Sequence, residues 1–205
     1  DPSDYRVQLG RGDARLSLGN LSAGGHRHLI DGLASRGLQS AFRLGRAASL
    51  EASVMNGTNI VGWSNLLGLD RSSHRIASVA LGFDLLPHRP DAVRIDLTGM
   101  DGSVLPIAAF NQGAVTDAEQ SRGVGAQVAL SDPTQRIRFA GGISRSRFVN
   151  PFDPLLSGDT TIVAVRPQTR SARLGELTVE LLRAATLIPH LPITLGTVVR
   201  HERVD

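Results

Sequence analysis

The chain has 205 residues, of which 41% are hydrophobic, 4% aromatic and 20% charged; it has no cysteine and a formal net charge of +3. That length can bury a core, and the missing cysteine excludes disulfides and thiolate metal sites. No apolar run approaches the roughly 18–20 residues of a membrane helix. All 22 basic residues are arginine, yet they are evenly spread and do not alternate with stacking aromatics, so nucleic acid is not an expected partner.

Taken in chain order, period-two alternation predicts ten strands at 4–10, 14–20, 37–45, 48–56, 75–86, 92–99, 122–131, 135–145, 171–182 and 191–201. Tyr5, Val7 and Leu9 share one face of the first, and Leu50, Ala52 and Val54 one face of the fourth. In "SVALGFDLLPHRPDAVRIDLTG" (78–99), Val79, Leu81, Phe83 and Leu85 alternate before a proline-bearing turn. Val93, Ile95 and Leu97 alternate after it, with Arg94, Asp96 and Thr98 opposite. Similar faces follow at Val124–Leu130, Ile137–Ile143 and Ile193–Val199. Within 171–182 the parity slips, since Leu174 and Leu177 share a face only across a bulge. Every proline falls in a turn, a loop or at a strand end of this segmentation.

The connections sort by length. Tight links at 10–13, 45–48, 87–91, 131–135 and 183–190 alternate with long ones at 21–36, 57–74, 100–121 and 146–170. In an up-and-down antiparallel sheet this places every tight turn at one end and every long loop at the other. Greek-key sandwiches have no reason to sort their loops so. Short turns on one side, long loops on the other, and strands of about ten residues alternating in polarity are the habit of transmembrane barrels.

By this strand and loop pattern, over its whole length and with no sequence motif, the chain resembles bacterial outer-membrane β-barrel proteins of the porin-like or export type. The resemblance implies an all-β fold, an antiparallel up-and-down barrel of about ten strands or a section of a larger one, comprising 1–205 as one β domain. Both ends would lie on the long-loop side, which suits an internal fragment of a longer chain; a whole barrel would need the first and last strands to pair. Few aromatics are available for interfacial girdles. The alternative is a soluble exported β-sandwich or jelly roll that binds carbohydrate or a surface protein without catalysis.

On the barrel reading the function is a channel, export pore or surface anchor in the bacterial outer membrane. Its lumen would be lined by Arg43, Glu51, Arg94, Asp96, Arg136, Arg138 and Arg200. Forked guanidinium hydrogen bonds would favour an anionic solute or polysaccharide, with membrane lipid as the outer partner. Loop binding candidates are His26, His28, Trp63, Phe110 and Phe152.

No cofactor motif is present. "GHRH" (25–28) offers His26 and His28 but no third ligand of suitable spacing, so no metal site is expected. Without a G-x-S-x-G elbow or an ordered triad, His26, His28 and His74 remain only candidate bases for a rim hydrolase, and an enzyme is not expected. "RGVGAQ" opens a strand rather than a helix and is no phosphate cradle. "HLIDGLASRGL" (28–38) reads as a short helix or a plug for the pore.

Overall fold

The computed structural model describes residues 5–23, 26, 29, 33–57, 65–69, 75–89, 91–104, 119–150, 165–188 and 191–205. Ten strands form one sheet: β1 (Arg6–Arg11), β2 (Ala14–Ala23), β3 (Leu33–Leu44), β4 (Ala48–Asn56), β5 (Arg75–Asp84), β6 (Val93–Val104), β7 (Glu119–Ser131), β8 (Ile137–Asn150), β9 (Val165–Ile188) and β10 (Leu191–Val204). Each pairs antiparallel with its chain neighbour, in the order β1 to β10 without a crossover. The fold is therefore an all-β antiparallel meander. Among the described residues β1 pairs with β2 alone and β10 with β9 alone, so both are edge strands.

Alternation produces this sheet because successive side chains point to opposite faces and cross-strand neighbours pack in pairs. Leu81 lies opposite Leu97, and Phe83 opposite Ile95. Leu130, Phe139, Leu177 and Val199 form one unbroken row over β7 to β10. Tight reversals occur where the backbone can turn: Gly12 and Gly45 take positive φ at the first two hairpins. The β7–β8 turn is held by Asp132, whose carboxylate accepts from the Ile137 N–H at 2.8 Å, the Thr134 N–H at 3.1 Å and the Thr134 hydroxyl.

Several expected boundaries move. Strands β2 and β3 reach Ala23 and Leu33, so the long link shrinks to 24–32 and approaches 85–92 in length. No helix occupies 33–38, which belongs to β3; residues 28 and 30–32 lie outside the described residues. β9 and β10 extend through the predicted 183–190 link and leave only 189–190 between them. Pro167 and Pro192 thereby fall inside strands. Near Pro167 the β8 ladder slips between Phe148 and Asn150, and Pro192 lies on an edge strand at a register shift. The expected bulge between Leu174 and Leu177 is absent. The ladder runs unbroken there, and the two leucines take opposite faces, Leu174 buried and Leu177 exposed.

The two faces differ in exposure, and the more exposed one carries most of the large apolar side chains. Ser17, Ser53, Thr98 and Ser144 are buried on one face, hereafter the sheltered face. Leu9, Leu16, Leu38, Phe42, Phe83, Leu97, Val124 and Ile143 stand exposed on the other, and no second layer covers them among the described residues. A small apolar cluster of Leu21, Met55, Ile76 and Met100, with Leu29 packed against it, closes the long-loop end of the sheltered face.

Candidate functional site

The sheltered face divides along the strands. Toward the long loops Ser17, Gln39, Ser53, Ser78, Met100, Gly123 and Ser146 form one continuous row that ends on Arg170 of β9. In that row the Ser53 and Ser78 hydroxyls lie 2.7 Å apart. Toward the tight turns the face is charged. Asp84, Arg94, Ala129, Ala140, Glu176 and Arg200 form one such row, while Arg43, Ser49, Gly82, Asp96 and Gln127 form the next.

Arg94 organises this half. Its Nε donates to Asp96 Oδ1 at 2.9 Å, its Nη1 meets Asp84 Oδ2 at 3.2 Å, and its Nη2 reaches Ser49 Oγ at 3.3 Å. The planar fork thus ties β4, β5 and β6 together, a geometry that an ammonium group does not reproduce. Gln39 Nε2 donates to Glu51 Oε1 at 2.9 Å, and Arg200 Nε to Glu176 Oε2 at 2.7 Å. Arg15 and Arg43 are exposed and have no carboxylate partner among the described residues. Together with Gln8, Asp13, Glu51 and Arg94 they line a recess of about 650 Å³ at the tight-turn end.

Arg43, Glu51, Arg94, Asp96, Arg138 and Arg200 therefore share one face in the charged half. Arg136 lies in the β7–β8 turn, where its carbonyl accepts from the Glu180 N–H at 2.7 Å. The sequence reading missed Asp84, the second carboxylate on Arg94, because only the folded hairpin places it opposite that guanidinium. It also missed Arg15, whose parity with Ser17 was the available signal.

His26 is the single loop candidate within the described residues; His28, Trp63, Phe110 and Phe152 lie outside them, as does His74. His26 is 2% exposed and is brought against the centre of the sheltered face. A Cβ at Gly125 would stand 2.8 Å from its Cγ, and one at Gly142 would stand 2.8 Å from its Nε2. Glycine at these two positions leaves the hollow that the imidazole fills. To reach β7 and β8 from the β2–β3 link, His26 must cross the sheltered face, which is therefore concave.

A second loop segment covers the opposite face. Arg36 stacks on the Tyr5 ring at 5.2 Å and donates to Asn65 O at 2.9 Å. Asn56 Nδ2 donates to Gly68 O at 2.6 Å, Arg75 to Leu69 O, and the Tyr5 hydroxyl to Leu66 O. Residues 65–69 form a strap that satisfies the polar outward positions at the long-loop ends of β1 to β5. Comparison with protein-family models, curated proteins and solved structures found no match to this chain.

Proposed function

We infer that this chain is the wall of an outer-membrane β-barrel, working as a channel, export pore or anchor whose lumen is the sheltered face. The exposed apolar face carries the reading: Leu, Val, Ile and Phe side chains stand exposed on it with no covering layer among the described residues, while Ser17, Ser53, Thr98 and Ser144 are buried on the other. In water such an arrangement leaves a large apolar surface unburied at about 25 cal/mol per Å². In hydrocarbon it is the low-energy one, provided the backbone is paired throughout. Phe42, Phe83 and Phe139 stand exposed toward the tight-turn ends of their strands, where an aromatic girdle belongs.

The charges of the sheltered face supply what a polar conduit needs. Arg94, Asp84 and Asp96 cross-link the wall, while Arg15 and Arg43 offer guanidinium forks to a passing anion or acidic polysaccharide. The soluble sandwich reading would need a second layer over the apolar face, and the meander supplies none among the described residues.

Purification decides the matter. Extraction only with detergent, heat-modifiable migration on gels and insertion into phosphatidylcholine vesicles are the expected results. A monodisperse protein in detergent-free buffer that leaves vesicles untouched overturns the reading.

A further inference from the structure

Along the outward face, apolar residues give way to arginine as the strands approach the long loops. On β7 the outward series runs Leu130, Val128, Ala126, Val124, Arg122; on β8 it runs Ile137, Phe139, Gly141, Ile143, Arg145, Arg147. Arg173 on β9 and Arg203 on β10 continue the pattern. Arg122 lies directly opposite Arg147, and Arg173 directly opposite Arg203. Like charges placed opposite each other on one face destabilise a sheet.

The neighbouring carboxylates do not neutralise this cluster. Asp101 pairs with Arg122 at 3.1 Å and Asp205 with Arg203 at 2.7 Å. Arg145, Arg147 and Arg173 are exposed and have no carboxylate partner among the described residues. On β3 and β5, by comparison, the strap of residues 65–69 accepts from Arg36 and Arg75.

We propose that Arg122, Arg145, Arg147, Arg173 and Arg203 form a collar that binds the phosphates of anionic lipid headgroups. This rests on the membrane reading above and names the lipid chemistry at one rim. The collar borders the apolar belt, with Arg173 directly opposite Ile143 and Arg145 directly opposite Val124. Arg145 shares a row with Val124, and an arginine beside apolar surface can lay its methylene stem along it and hold its guanidinium in the polar layer. Two phosphate oxygens match the guanidinium fork, and each basic group near an anionic surface adds about 1 kcal/mol of attraction.

The test uses the full chain in two vesicle compositions, phosphatidylcholine alone and phosphatidylcholine containing phosphatidic acid. Wild type is expected to insert into both, with about tenfold or greater preference for the acidic vesicles. Arg145→Gln/Arg147→Gln/Arg173→Gln is expected to insert into plain phosphatidylcholine as wild type does and to lose the preference. The matching triple Lys variant, which keeps the charge, is expected to retain most of it, and millimolar inorganic phosphate is expected not to abolish it. Equal insertion of wild type into both vesicles, an undiminished preference in the Gln variant, or full competition by free phosphate overturns the proposal alone. Failure of wild type to insert into either vesicle removes the membrane reading and the collar with it.

Discussion

At the residue scale, two side chains stand out, one at mid-sheet and one at a tight turn. His26 occupies the hollow above Gly125 and Gly142, so a methyl group at Gly125 must displace the ring or shift β7. Gly125→Ala is expected to cost about 1–3 kcal/mol, the usual range for overpacking. His26→Ala should remove most of that cost, because the clash partner is gone. Urea midpoints of the two single variants and the double variant check this, and strictly additive losses would count against the contact. Asp132 acts in the β7–β8 turn. Its carboxyl is lowered from 3.8 to about 2, first by the Thr134 hydroxyl and then by the Ile137 N–H. The folded turn prefers the ionised form, so its contribution is complete above about pH 4 and is lost as the pH falls through about 2. Asp132→Asn is expected to flatten the pH dependence of unfolding across that acid window. A slope identical to wild type between pH 4 and 2 would show that the turn carries none of it.

At the element scale, alternation determines everything a strand does, because a one-residue slip would exchange its two faces. This is why the hairpin of Val79 to Leu97 was legible before folding: its apolar and polar positions fall on the faces the sequence predicts. The boundaries were less legible. Hydrogen bonding to a neighbour continues β9 and β10 past the point where alternation ceases to be informative, and only the paired strand supplies that constraint. Outward positions in mid-strand offer the sharpest test of what lies outside. Leu97→Arg, at an exposed outward position within β6 flanked by Leu81 and Ala126, is expected to cost about 2–4 kcal/mol of folding free energy in a bilayer. On a water-facing sheet the same change stays within about 0.5 kcal/mol. Folding titrations of wild type and variant in phosphatidylcholine vesicles measure the difference, and a near-zero cost there would argue for water.

At the scale of the whole molecule, polarity is crossed. The sheltered face holds the apolar cluster of Leu21, Met55, Ile76 and Met100 toward the long loops and the Arg94 network toward the tight turns. The outward face is apolar along the belt and basic toward the long loops over β7 to β10. On the proposed conduit, Arg15 and Arg43 would be the groups that meet an anion at the tight-turn end. Arg15→Glu/Arg43→Glu is therefore expected to move the reversal potential of reconstituted protein from anion-preferring toward cation-preferring, read in planar bilayers under a salt gradient. An unchanged reversal potential would place the permeation path elsewhere. By itself the sequence determined the strands, their faces and their meander order, because alternation and turn residues are local properties carried by a few neighbouring positions. Only the tertiary structure decided that Asp84 joins Asp96 on Arg94, that His26 crosses to the far wall, and that arginines on adjacent strands stand opposite one another. Those relations depend on register between strands and on where a loop folds back, and no single strand encodes either.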